Sequence, residues 1–515
     1  MNRKSKQTMG QQLALALKEV KKNSRDHIVK SNRISRKVRE QLTRAGYLVD
    51  VIQGWYLLTT PGIEGNSDVW YGFYWSFIRQ YLTERFGKTG YCLSADHSMN
   101  LHAGETIIPE QLVVITKKAS NQAIELPFKT SLLIYSDKTN FPKKISKIND
   151  INVMMQETAL CRLSPAYYVE KAENILLVLN LYQSVVALSK QLIETASLSS
   201  AERLAGAFQS MGLKGYADQI ISDMKLAGYH IKAENSFQRK KLVVSSRQIY
   251  SSPYPARIEL LWQSMRKDIQ DNFPQPAKKK EFRVLKKIRD LYTHDAYHSL
   301  SIEGYQVTEE LIQKIAAGKW NPAENIHDRD LFSGLSAKGY QDAFQSVLQS
   351  IQKTKLQTKQ GQIVSRDLQT WYRALFTPFV KSGLYQASDI IGYRNQPVYI
   401  RNSRHIPLPN HSLVDVMEKY YDLLKNEDNP AVKAVLGHFM FVYIHPYMDG
   451  NGRLGRFLMN YMLVTGGYHW TVIRVSERTR YMKTLESASV EKNIIPFTRF
   501  IADEMAYWDE LDDRR

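Results

Sequence analysis

The sequence predicts a multidomain protein whose N-terminal half mixes strands with helices and whose C-terminal half is all-helical apart from one short β-hairpin. Three observations carry this. At 515 residues the chain exceeds what one hydrophobic core usually serves, so two to four domains are expected. Alternating and short apolar runs are confined to the part before about residue 237, whereas helical periodicity runs almost unbroken from Lys278. Between them Pro253, Pro255, Pro274 and Pro276 punctuate a connector around one predicted helix, Ile258 to Phe273. The expected divisions are therefore 1–60, 61–237, a connector 238–277, and 278–515.

An apolar share of 43% and a charged share of 23% are ordinary for a folded globular chain and exclude global disorder. The most apolar stretches, Leu436 to Ile444 and Phe457 to Val464, are too short to cross a bilayer, so no membrane span is expected. The N-terminus is polar and basic with no apolar stretch after it, which points to the cytoplasm. Cys92 and Cys161 stand alone, without metal-ligand spacing, and are expected to pack in cores. The formal net charge of +19 favours polyanionic partners, although a solvated basic surface is the plainer reading.

The first 50 residues concentrate this charge, with thirteen Lys and Arg against Glu19, Asp26, Glu40 and Asp50. Leu13, Leu15, Ala16, Leu17 and Val20 form a short helical stripe; Ser35 is placed to cap a helix running to Ala45, which Gly46 ends. Alternation from Leu48 to Leu58 around Gln53-Gly54 predicts a hairpin. This order suits a winged helix, whose recognition helix would carry Arg33, Arg36, Lys37, Arg39 and Arg44 to DNA phosphates and base edges. Further on, Val113 to Thr116 and Ser131 to Tyr135 read as strands, and Ala172 to Ala196 and Ala201 to Met211 as helices. Gly54-Trp55-Tyr56-Leu57, the Leu93 to Pro109 stretch, Glu157 to Cys161 and the Ala205 to Tyr229 tail together resemble AbiEi-type winged-helix antitoxins and regulators, over residues 10–237.

The chemistry lies in the C-terminal part. An apolar helix ends at Ile444, a glycine-rich turn follows, and a second helix resumes at Arg453, giving His445-Pro-Tyr-Met-Asp449-Gly450-Asn451-Gly452-Arg453-Leu-Gly-Arg456. Two glycines let backbone N–H groups turn inward while the positive end of the second helix points at the same place, which suits a polyphosphate. Arg453 and Arg456, three apart, project from one face toward neighbouring phosphates, and Asp449 offers the hard oxygen that Mg²⁺ uses beside substrate phosphates. His445 alone of twelve histidines adjoins such a loop, and a neutral imidazole can take a proton from an alcohol. A core histidine and glycine C-caps are the bland alternative, but seven polar and glycine positions in one run argue against it.

This run resembles the Fic family motif HxFx(D/E)GNGRxxR, with Tyr447 in place of phenylalanine. The resemblance implies an all-α Fic domain with a β-hairpin flap that transfers AMP from ATP to a Ser, Thr or Tyr hydroxyl of a target protein or of itself, releasing pyrophosphate. It also implies roles: His445 as base, Asp449 as Mg²⁺ ligand, Asn451 with the Gly450 and Gly452 amides on the α-phosphate, Arg453 on the β-phosphate and Arg456 on the γ-phosphate. Gly392 to Ile400, with Val398, Tyr399 and Ile400, continuing to Pro409, resembles the flap that aligns a target's main chain. Tyr481, in Arg478 to Leu485, resembles part of the nucleoside wall, although an aromatic at helical spacing is more often core. Ser299-Leu-Ser-Ile-Glu303-Gly304 resembles the family's inhibitory motif, in which Ser299 and Glu303 on a helix from about Lys278 would engage Arg456 and restrain the enzyme. Fic domains often self-associate, which implies that a homodimer can form. Two alternatives stay open: a DNA-binding regulator or antitoxin with a nucleotide-responsive Fic module, and a deAMPylase in which Glu303 positions water.

Overall fold

The computed structural model describes residues 9–61, 67–118, 121–235, 237, 252–276, 284–320, 331–355 and 360–513. Arg3, Lys4, Lys6, the basic run at 239–241 and the expected helix start at Lys278 lie outside them. The chain divides into two compact units: Met1–Pro253 with Tyr399–Ile406, and Tyr254–Val398 with Pro407–Arg515.

The first unit opens with helix Met9–Asn23, strand Ile28–Lys30, a turn of 3-10 helix, helix Arg36–Arg44, and strands Leu48–Ile52 and Trp55–Leu58. Ser35 caps the second helix by accepting from the Val38 N–H at 3.3 Å, as its position in the sequence predicts. The last strand is central, antiparallel to both others, with Val29 opposite Tyr56 and Leu48 opposite Leu58. Ala16, Val20, Val29, Ile34, Leu42, Leu48 and Leu58 form its small core. The long helix Asp68–Phe86 then leads to a four-stranded sheet in the order Tyr91–Leu93, Gln111–Thr116, Thr130–Ser136, Gln122–Leu126. Both strands read from the sequence fall in it, paired in parallel. Cys92 and Cys161 are free and buried, and both belong to one core with the helices that follow.

The helix expected over 172–196 is two, Ala172–Asn180 and Val186–Glu194. The break is supported from elsewhere in the chain: the Tyr216 hydroxyl donates to Gln183 O at 2.9 Å, and the Tyr182 ring packs on Phe208. A distant side chain satisfies a carbonyl that the helix would otherwise have used.

The second unit is helical around one large core. Part of the expected connector belongs to it. Helix Pro253–Asn272 sends Ile258, Leu261, Trp262, Met265 and Ile269 into that core, and Pro253 and Pro255 sit in its first turn, where a missing N–H costs nothing. Instead of one helix from Lys278, the described residues form Val284–Asp290 and Tyr292–Ile302, separated at Leu291. The expected β-hairpin flap is not formed: residues 391–409 contain no strand, only a single bridge residue, His405. Among the described residues no helix is long and apolar enough to cross a membrane.

Candidate active site

Helix Pro430–Ile444 is the central element of the helical unit. Asn429 caps it through the Val432 N–H at 3.0 Å, Pro430 fills its first position, and residues from Ala431 to Ile444 are nearly all buried. It stops because His445 takes a left-handed conformation, φ 54° and ψ 60°. That geometry is costly for a residue with a side chain, so it needs outside support. Arg394 supplies it. Its Nε donates to His445 O at 2.7 Å, its own N–H donates to Pro446 O at 2.9 Å, and its Nη1 donates to Gln396 O at 3.1 Å. Nη2 donates to Leu408 O. The guanidinium is buried, and burial brings its pKa down to about 10.

The His445 ring is held as well. Nδ1 lies 3.1 Å from Val442 O, and since a carbonyl only accepts, Nδ1 carries the proton and Nε2 keeps its lone pair. Burial of the ring lowers its pKa to about 4; the Val442 carbonyl, Glu303 and Asp449 pull the other way and Arg394 adds to the lowering. The ring is therefore neutral at pH 7 and able to accept a proton.

The following loop is braced from within. The Tyr447 N–H donates to Asn451 Oδ1 at 3.0 Å, and Asn451 Nδ2 donates to Tyr447 O at 2.8 Å. Asn451, expected on a phosphate, thus also shapes the loop. Gly450 has φ 83°, and a Cβ there would also come 2.9 Å from the Phe376 ring. Tyr447 is buried and stacks on Tyr372 at 3.9 Å, so the aromatic anchor of the motif is structural.

Helix Asn451–Thr465 carries the two arginines. Arg453 is fully buried, sandwiched between the rings of Tyr305 and Phe376 at 5.0 and 5.2 Å, and its Nη2 donates to Asp449 Oδ2 at 3.0 Å. Its Nε and Nη1 have no hydrogen-bond partner among the described residues. Buried cationic donors left unpaired at a helix N-terminus define a place for an anion. Asp449 is half-exposed, and its other oxygen accepts from the Gly450 N–H at 2.6 Å.

Arg456 is occupied. Its Nε donates to Ser299 Oγ at 2.8 Å, and Nη2 donates to Ser299 O at 3.0 Å and to Glu303 Oε1 at 2.7 Å. The same carboxylate oxygen lies over Gly452, only 2.2 Å from where a Cβ would stand. Glu303 caps the end of helix Tyr292–Ile302 and Gly304 follows with φ 92°. That helix is itself fixed: Leu300 and Ile302 are buried, and the buried Asp295 accepts from Tyr340 at 2.7 Å and Trp470 at 3.2 Å.

Tyr481 is 1% exposed, its hydroxyl lies 2.7 Å from His438 Nε2, and it packs against Phe500 as a core aromatic while also interacting with Arg456. Val398, Tyr399 and Ile400 do not form a strand; Val398 stays with the helical unit and Tyr399–Ile406 with the other.

Arg394, Tyr305 and Phe376 had not been singled out in the sequence. No local pattern marks them, because each meets the motif from 50 or more residues away. Arg394→Ala should cost about 2–4 kcal/mol of stability, read as a lowered thermal midpoint, since three carbonyls lose their buried side-chain donor. An unchanged midpoint would show that His445 holds its left-handed turn unaided.

Residues 362–463 match the Fic/DOC family, so the C-terminal unit carries a Fic/DOC domain. Curated relatives agree. The chain is 29% identical over 220 residues to a protein adenylyltransferase Fic of Nematostella vectensis, covering 42% of this chain and 47% of that one. It is 30% identical over 223 residues to the protein of the same name from Drosophila willistoni, covering 42% and 40%. The chain thus spans less than half the length of these relatives. Among solved structures, residues 134–508 of Fic-1 from C. elegans align with 68% of this chain and 96% of that one, at 16% identity and a TM-score of 0.37, too loose to bear on function.

Proposed function

We propose that the helical unit transfers AMP from ATP to a hydroxyl of a protein, and that Glu303 restrains it. The observation that carries this is the pair of unpartnered, buried N–H groups on Arg453 at the start of helix Asn451–Thr465, beside a neutral His445 whose Nε2 can accept a proton. In this reading the triphosphate lies along Gly450, Gly452, Arg453 and Arg456, and the target hydroxyl gives its proton to His445 Nε2 as its oxygen attacks the α-phosphorus. Pyrophosphate leaves, and most of the rate comes from position and charge. Asp449, with a half-exposed carboxylate beside Gly450 and Arg453, is the residue that would hold Mg²⁺. Such an ion would neutralise charge on the phosphates.

The chemistry is tested with ATP labelled at one phosphate at a time. Protein label from the α-position and none from the γ-position is expected; γ-label on protein would make the enzyme a kinase instead. The reverse reaction, removal of AMP with Glu303 orienting water, predicts release of AMP from a pre-modified protein that Glu303→Gly abolishes.

A second reading concerns the N-terminal unit. The order helix, strand, helical turn, helix and hairpin, with the last strand central, supports a winged helix whose exposed Arg33, Arg36, Lys37 and Arg44 meet DNA phosphates. Arg39 lies over the Tyr56 ring and is only half-exposed. Four phosphate contacts predict that log K for a mixed-sequence duplex falls against log[salt] with a slope of about −4. Arg36→Ala with Lys37→Ala should reduce that slope by about 2. Binding insensitive to salt or to these changes would leave the basic helix as a solvated surface.

A further inference from the structure

Eight residues, Tyr399–Ile406, interrupt the helical unit in sequence and belong to the N-terminal unit. There their main chain is held by a single antiparallel bridge. The Ile108 N–H donates to Arg404 O at 2.9 Å, the Ile406 N–H donates to Thr106 O at 2.9 Å, and His405 stands opposite Ile107 in an antiparallel bridge. Side chains fasten the same pair. Thr106 Oγ1 and His405 Nδ1 are 2.9 Å apart; Arg404 donates from Nε and Nη2 to Ile108 O at 3.1 and 2.7 Å and from Nη1 to Glu110 at 2.8 Å. His405 is 1% exposed, and Ile406 packs on the unit's core. At the other end the Tyr399 ring covers Gly72, where a Cβ would come within 2.9 Å of it, and lies 5.6 Å from Phe73. On the opposite edge the His405 N–H donates to Ser403 Oγ at 3.1 Å. The excursion starts and ends at carbonyls, Gln396 and Leu408, that Arg394 holds.

We propose that the Arg404–Ile406 main chain is a docking edge for an extended peptide and that Thr106–Ile108 occupies it in cis, so a client segment gains it only by strand exchange with the N-terminal unit. This rests on the reading of residues 392–409 as the segment that aligns targets for AMP transfer. Main-chain pairing tolerates many sequences, so a client needs an extended stretch and not a particular motif. One N–H and one C=O cannot serve two strands, so occupation by residues 106–108 excludes the client. The partner is thus an exposed, extended protein segment bearing a hydroxyl.

Ile107 and His405 oppose each other across an antiparallel pair, which suits a disulfide, and the native cysteines are buried. In a Glu303→Gly background, oxidised Ile107→Cys/His405→Cys protein should transfer roughly tenfold less label from α-labelled ATP to lysate proteins than the same protein reduced. Failure of the disulfide to form, or equal labelling by the two forms while the Glu303→Gly parent is active, overturns the proposal. A second variant leaves residues 392–409 untouched. Thr106→Val/Glu110→Ala in the same background should raise labelling roughly threefold, because the cis strand loses two fastenings; unchanged or lower labelling overturns the proposal. If the Glu303→Gly parent transfers no AMP, it is the reading of function that fails, and the docking proposal falls with it.

Discussion

Replacing Glu303 by glycine should raise the AMP carried on protein after incubation with ATP and Mg²⁺ by about ten- to a hundredfold, equivalent to about 1.4–2.8 kcal/mol in favour of the productive complex. The expectation follows from what the carboxylate does. Its Oε1 takes an Arg456 N–H at 2.7 Å and sits over the bare face of Gly452, so it competes with a phosphate for both a charge and a space. Removing it frees one Nη2 N–H while Ser299 still holds the guanidinium through Nε and the other Nη2 N–H. Glycine also suits the end of a helix that already turns at Gly304. Intact-protein mass measurement reads the outcome directly, and a variant that gains no more AMP than the wild type would remove the inhibitory role from Glu303.

The second large effect is loss. In that activated background His445→Ala should lower transfer by about 10²–10⁴-fold, the range for removing a general base, while nucleotide binding persists because the arginines and glycines remain. A fall in nucleotide affinity with transfer preserved would contradict the assignment. The pH profile adds a separate check. With its folded pKa lowered to about 4, His445 stays neutral from pH 8 down to about 5, so kcat/KM should be level there and drop only as the ring protonates below that. A drop centred near the usual histidine value would mean that burial does not act on this ring in the working enzyme.

The chemistry of the loop was legible because it is local. Asp449, Gly450, Asn451, Gly452, Arg453 and Arg456 share one turn and the helix after it, so their types and spacing suffice to imply an anion site. Ser299 and Glu303 were legible for a related reason, as one helical turn with a recognisable end. What escaped depends on contacts over long distances in sequence. Arg394 supports His445 through backbone carbonyls, which leave no trace in side-chain patterns. The hairpin implied by the resemblance of residues 392–409 is not formed, because Arg404–Ile406 pairs with Thr106–Ile108 instead of with its own neighbours. The resemblance implied ligand contacts for Tyr481 and Asn451 but not that both also hold the protein itself, through His438 and Tyr447.

The immobility of helix Tyr292–Ile302 has a further consequence. Its Leu300 and Ile302 are buried and Asp295 is bonded to Tyr340 and Trp470, so the helix cannot swing clear as a lid would. In the proposed reading ATP would displace a tethered carboxylate from Arg456 by mass action, and the restraint would behave as a built-in competitor of fixed local concentration. An enzyme restrained in this way would gauge the supply of its own nucleotide, quiet at low ATP and loosened gradually as ATP rises.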